Sequence, residues 1–239
     1  MTKKVVLVLV EGEAEETVLT EYLEEVFGDQ EVFIDVQNGD VLADWNQDKN
    51  VKNAIGDVIK AYLKKTKFRA SDLKWVFQIT DSDGVFIAND HVKVDEQKGL
   101  FYDESAIFVS DIQKKRQIEQ RNEKKAKNMK VLSTTSHFNL ERVKIPYNIY
   151  YFSTNLDHVL WDERNELQHQ KTRKAEQFIE TLECTLEEFL WTYSAISQDE
   201  LTEQAYKESW TYLSEEVNSL KRVTNVTLLF ELAREQQNK

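Results

Sequence analysis

Two short acidic segments hold the residues best suited to chemistry. Glu11 and Gly12 close an apolar run from Val5 to Val10, and Glu13, Glu15 and Glu16 follow at once. Asp81, Ser82, Asp83 and Gly84 stand just beyond a second run, Trp75 to Ile79. Carboxylates packed together repel one another and are tolerated mainly where a cation sits among them. An all-oxygen ligand set suits Mg²⁺ or Mn²⁺ rather than zinc. Two such ions about 3.5–4 Å apart can stabilise the attacking and leaving oxygens of an in-line displacement at phosphorus. On this reading Asp81 and Asp83 hold one ion, and Glu11 and Glu15 hold or share the other. Protonating the leaving oxygen falls to Glu11 or to a metal-bound water, and the sequence does not choose. Gly12 would let the backbone approach a phosphate or metal closely. Each segment also has a plainer explanation. Acids in the first turn of a helix gain from its dipole, and Asp and Gly are common turn formers. The metal reading draws its weight from both groups lying at the ends of apolar runs.

Those acids meet only if the runs are parallel strands. The continuous run Val5–Val10 reads as a strand buried on both faces. Val18, Leu19, Tyr22, Leu23, Val26 and Phe27 follow at helical spacing, and Gly28 stands where a helix would stop. A second strand, Val32–Val36, ends at Asn38-Gly39-Asp40, and a helix is expected over about 50–65. Trp75–Ile79 is the third strand and Tyr147–Phe152 the fourth. This alternation predicts an α/β fold, a Rossmann-like, mostly parallel sheet of about four strands flanked by helices. Ligands of such sheets bind beyond the carboxyl ends of the strands. From about residue 156 the pattern is helical, with Leu186, Phe189, Leu190 and Tyr193 on one helix and Leu201, Ala205, Leu213 and Val217 on another. The expected division is an α/β domain over 1–160, interrupted by an insertion at about 84–143, and an all-helical extension over 161–239.

Charge is polarised along the chain. The net charge is −12, which by itself argues against a general polyanion binder. Residues 175–216 hold eleven acids against one base, Lys207, so −10 of the total lies there and only −2 elsewhere. Residues 111–130 carry eight bases and three acids, a net of +5. Lys114, Lys115, Arg116, Arg121, Lys124, Lys125 and Lys127 are therefore the expected contacts to a nucleic-acid backbone. Aromatic residues do not interleave with them, which disfavours a base-stacking surface. A hydrophobic content of 41% is ample for a core. A lone Cys184 excludes a disulfide framework and a cysteine zinc site. No apolar run approaches the roughly 20 residues that cross a bilayer. The first ten residues look like a signal peptide until Glu11 interrupts them, and a cytoplasmic location without membrane contact is expected. His91, His137, His158 and His169 show no metal-ligand spacing.

LVLVEGEAEETVLTEYL resembles the first motif of the Toprim domain, a glutamate and glycine at the end of the first strand. Its EGxxE form is similar to overcoming-lysogenization-defect (OLD) nucleases and to small stand-alone Toprim proteins of phage-defence loci. VFQITDSDG resembles the family's Asp-x-Asp motif, and VQNGD the end of its second strand. The resemblance covers roughly residues 4–160. It implies a Toprim-like fold, one or more Mg²⁺ or Mn²⁺ ions, and phosphodiester hydrolysis in DNA or RNA. Glu11 then matches the acid/base glutamate, Asp81 and Asp83 the metal-binding pair, and Glu15 the second glutamate of OLD-type members. YYFSTNLDHVLW resembles the stretch where a polar or acidic residue starts a helix, which adds Asp157 to the metal ligands. Gly84-Val85 departs from relatives that extend the aspartate motif with another acid. No GxxxxGK[ST] segment is present, so an ATPase or other defence-system partner is expected to be a separate chain.

Two rivals follow from the same residues. ITDSDGVF also resembles the first motif of haloacid-dehalogenase-type phosphatases, with Asp81 as nucleophile and Asp83 as acid/base. That family needs a later lysine and a strand-end acidic pair, and EGxxE would go unused. A non-catalytic Toprim-like regulatory or scaffold subunit is the other, its C-terminal helices serving for homo-oligomerisation or for docking a basic partner.

Overall fold

The computed structural model describes residues 4–28, 30–37, 40–43, 50–198 and 203–237. Asn38, Gly39, Asp199, Glu200 and Leu201, used above, lie outside them. The chain begins with strand β1 (Val5–Val10), helix α1 (Glu13–Phe27), strand β2 (Glu31–Val36) and helix α2 (Val51–Thr66), followed by strand β3 (Leu73–Asp81). All six residues of β1 are at most 1% exposed, as a strand covered on both faces must be. Its odd residues Val5, Leu7 and Leu9 pack toward α2. Its even residues Val6, Val8 and Val10 pack toward Val18, Leu19 and Leu23 of α1.

Three short strands come next, β4 (Val92–Val94), β5 (Phe101–Tyr102) and β6 (Ile107–Val109), forming a separate small sheet in the order β4-β6-β5. The 22-residue helix α3 (Ile112–Ser133) then leads to the hairpin of β7 (His137–Leu140) and β8 (Val143–Phe152). The main sheet has five strands in the order β2-β1-β3-β8-β7. β1 pairs in parallel with both β2 and β3, and β3 with β8, while β7 is antiparallel to β8. The fold is thus α/β with a mostly parallel sheet. The expectation of about four strands missed β7. Its hairpin turns at Glu141 and Arg142, both at positive φ (49° and 68°), as the two-residue hairpin turn that follows the sheet twist requires. Asn-Gly usually announces such a turn, and Glu-Arg does not.

The rest comprises α4 (Leu156–Trp161), α5 (Lys171–Thr181), α6 (Leu186–Trp191), α7 (Glu203–Leu213) and α8 (Thr227–Gln237). Leu186, Leu190, Leu229, Phe230 and Ala233 share one core with the even residues of β1, and Trp210 and Leu213 join the other. The pattern after 156 is not wholly helical. Thr224 bridges Phe152 and Ser194, and Tyr193 and Val217 lie beyond the ends of α6 and α7. The cause is an open edge: β7 covers only Val143–Pro146 of β8. Further along, Asn225 Oδ1 accepts from Tyr151 N at 2.8 Å, and the Tyr206 hydroxyl donates to Ile149 O at 2.7 Å. Side chains thereby satisfy backbone groups that a sixth strand would otherwise pair.

Candidate functional site

The strand order reverses at β1, whose neighbours β2 and β3 lie on opposite sides. In open α/β sheets the crevice beyond the strand ends at such a switch point is where ligands bind. Glu11 leaves the end of β1 and Asp81 ends β3, so the two stand on either side of this crevice. Asp40 follows β2 and Asp83 follows β3. Glu15 comes from the first turn of α1 and Asp157 from the start of α4. A cleft of about 680 Å³ opens here, lined by Glu11, Glu15, Asp40, Asp81, Asp157 and Lys171 among others.

The carboxylates fall into two groups, each with its own lysine. On one side Lys125 Nζ lies 2.6 Å from Asp83 Oδ2, 2.7 Å from Asp40 Oδ2 and 3.5 Å from Glu11 Oε1. Lys125 is completely buried. On the other side Lys171 Nζ lies 2.6 Å from Asp157 Oδ2, beside Glu15 and Asp81.

Local structure holds each member in place. Gly12 is extended (φ −145°), so it supplies space rather than an unusual conformation. A Cβ there would stand 3.1 Å from Glu15 Oε2. Thr80 Oγ1 donates to Glu11 Oε1, and Leu156 N donates to Asp81 Oδ1 at 2.9 Å. Asp83 and Gly84 both have positive φ (49° and 63°). Asp83 N donates to Thr154 O at 2.7 Å, tying the turn after β3 to the one after β8. Helix α3 docks on this turn through Arg121, which donates to Asp83 O at 3.0 Å and to the Tyr102 hydroxyl at 2.9 Å.

Burial pushes the Glu11 carboxyl up to about 8, with Asp40 and Asp83 adding to the rise against the pull of Lys125. Burial, then the charges of Glu15 and Glu11, hold Asp81 well above the usual carboxylate range. Glu15 and Asp157 are raised too, chiefly by burial. For Asp83 burial acts the same way, but Lys125 and Arg121 outweigh it and hold its carboxyl below the usual range. Burial opposes the charge on Lys125, yet Asp83, Glu11 and Asp40 lift its pKa well above normal. Ionisation is thus supported at Asp83 and resisted at Glu11, Glu15, Asp81 and Asp157.

Hard oxygen donors in a charge-starved cleft fit a divalent cation of the Mg²⁺ or Mn²⁺ kind. One observation points the same way: Asp157 is fully buried and its Oδ1 has no hydrogen-bond partner. Among the described residues no three carboxylate or imidazole groups are already gathered as a coordination sphere.

All five acids expected from the sequence, Glu11, Glu15, Asp81, Asp83 and Asp157, come to this one edge. The basic residues divide. Lys114, Arg116 and Lys127 are exposed on α3 and Lys115 and Lys124 half-buried, whereas Arg121 and Lys125 turn inward to the Asp83 loop. Those two are corrected from outer backbone contacts to internal partners of the carboxylates, because α3 lays that face against the sheet edge. His158 is fully buried, does not line the cleft, and is pushed down to about 4 mainly by burial. Asp40 and Lys171 were missed. Asp40 had a visible signal, an acid after the strand pairing with β1. Lys171 had none, since it starts a helix with no motif around it.

No protein-family model matches the chain, and comparison with curated proteins and with solved structures finds no match.

Proposed function

We propose that the chain is a divalent-metal-dependent nuclease of Toprim type that hydrolyses phosphodiester bonds in DNA or RNA. The observation that carries this reading is the convergence of six carboxylates from separate segments on the switch-point crevice, with Lys125 and Lys171 the lysines that pair with them. The order of the EGxxE and Asp-x-Asp segments, each at the end of a central parallel strand, supports the Toprim assignment. The defence setting, with a separate ATPase or other partner, rests on the sequence resemblance.

Mg²⁺ or Mn²⁺, when bound, supplies Lewis acidity and a water that loses its proton near neutral pH. Glu15, Asp81 and Asp157 are the residues that would hold it, with Glu11 facing both groups. Thr80 orients Glu11, whose raised pKa suits it to keep a proton for a leaving oxygen. Lys171 brings positive charge to the cleft wall, where a phosphate would lie. Arg116 and Lys127 are eleven residues apart, three helical turns, and so share an exposed face of α3 that can follow a nucleic-acid backbone.

The phosphatase reading requires Asp83 to give and take a proton. Lys125 and Arg121 keep it ionised, which favours the nuclease. A cleavage assay with Mn²⁺ or Mg²⁺ across DNA, RNA and tRNA tests the proposal. Metal-dependent cleavage lost in Asp81→Asn, with the fold intact, is the expected result. Full activity in that variant would overturn it. Rapid turnover of a generic phosphomonoester would favour the phosphatase, and an inert chain the scaffold role.

A further inference from the structure

Lys125 is used by neither the outer basic face nor the chemistry outlined above, yet its side chain is completely buried. Its Nζ lies within 3.5 Å of Glu11, Asp40 and Asp83, the contacts a bound cation would make with those groups. Burying a lysine is costly unless its charge is paired, and three carboxylates pair this one. Lys125 cannot readily leave. It lies on the inner face of α3 beside buried Asn122 and Met129, and Asn128, one turn further on, donates to Leu42 O at 2.8 Å. Expelling the ammonium would strand a charge in the interior or unseat the helix.

The other group of carboxylates is differently equipped. Among the described residues Lys171 makes an ion pair with Asp157 alone, with Asp81 and Glu15 close enough to favour its charge, and its side chain is 21% exposed at the cleft wall, so it is less enclosed than Lys125. Asp81 takes one backbone N–H, and Asp157 Oδ1 takes none. Glu15, Asp81 and Asp157 thus line the cleft with oxygen lone pairs that no lysine among the described residues occupies as Lys125 occupies those of the other group.

We infer that Lys125 permanently replaces one of the two cations of a two-metal centre, so that this site binds a single divalent ion on the side of Glu15, Asp81 and Asp157. The inference rests on the metal-dependent reading and changes its stoichiometry. Asp83, read from sequence as a metal ligand, becomes an anchor for Lys125.

The test is Mn²⁺ titration of the full chain by calorimetry, with electron paramagnetic resonance of the saturated protein. The expected result is one ion per chain and a spectrum without Mn–Mn coupling. Lys125→Gln should raise the count to two, since it frees Glu11, Asp40 and Asp83. Should that variant fail to fold, two others decide the matter. Asp81→Asn should weaken binding at least 100-fold, and Asp40→Asn should change it by less than about threefold. Two coupled ions in the unmodified chain would overturn the inference and leave the nuclease reading standing, as would equal losses in the Asp40 and Asp81 variants. No ion bound at millimolar Mn²⁺ would overturn both.

Discussion

Folding stability should fall as pH rises from about 6.5 to 8, and Glu11 should be a principal cause. Its carboxyl is pushed from 4.5 in the unfolded chain up to about 8 in the folded one. Between those values the folded state holds a proton that the unfolded state has released, so stability declines with pH at about 1.4 kcal/mol per unit for one proton. His158 acts in the opposite sense over part of the range. Its pKa is pushed from 6.5 down to about 4, so it makes stability rise with pH up to 6.5 and contributes no slope above that. The two roughly cancel from 4.5 to 6.5. Across the remaining 1.5 units the Glu11 slope costs about 2 kcal/mol, or roughly 4–8 °C in Tm for a chain of this size. Asp81 is raised in the same direction, chiefly by burial. Urea unfolding followed by tryptophan fluorescence at pH 6.5, 7.2 and 8 would measure it. Glu11→Gln, which cannot ionise, should flatten the profile by about 2 kcal/mol. A divalent ion at about 100 times its Kd should add about 2.7 kcal/mol at pH 8, with less gain at acid pH because its ligands must shed protons. A parent protein equally stable at 6.5 and 8, or a Glu11→Gln variant with the parent's slope, would refute the reasoning.

Other expectations are more local. Gly84 has φ +63°, and a Cβ there would stand 2.4 Å from Leu220 Cδ2, so Gly84→Ala should cost about 2–4 kcal/mol in chemical unfolding. Asn225→Ala removes the acceptor of Tyr151 N and a donor to Ser209 Oγ. It should lose about 1–2 kcal/mol and speed hydrogen exchange at the Tyr151 amide. Lys127→Ala should weaken binding to nucleic acid of any sequence and lower the log–log salt slope by about 1, measured by fluorescence anisotropy. A slope equal to that of the parent chain would remove Lys127 from the interface.

Much of the α/β frame was legible because it is written in local patterns. β1 is apolar throughout, α1 repeats at helical spacing up to Gly28, and strands separated by helices imply parallel pairing. Glu11, Glu15, Asp81, Asp83 and Asp157 were legible for the same reason: each lies at, or no more than five residues beyond, the end of a strand whose direction that pairing fixes. Charge counting along the chain also found the basic helix. It did not reveal which of its lysines face inward. Lys124 and Lys125 are adjacent in sequence and alike in chemistry, but one residue turns a helical side chain by about 100°. Only the docking of α3 onto the Asp83 turn decided that Lys125 would be sealed among three carboxylates while Lys127 stayed in water. Lys171, ninety residues after Asp81, reaches its carboxylates through the packing of α5 on α1. The types and order of the acids were thus set by the sequence itself. Where the compensating charges lie, and so where a cation can still bind, depends on side-chain direction across packed helices, which short motifs do not encode.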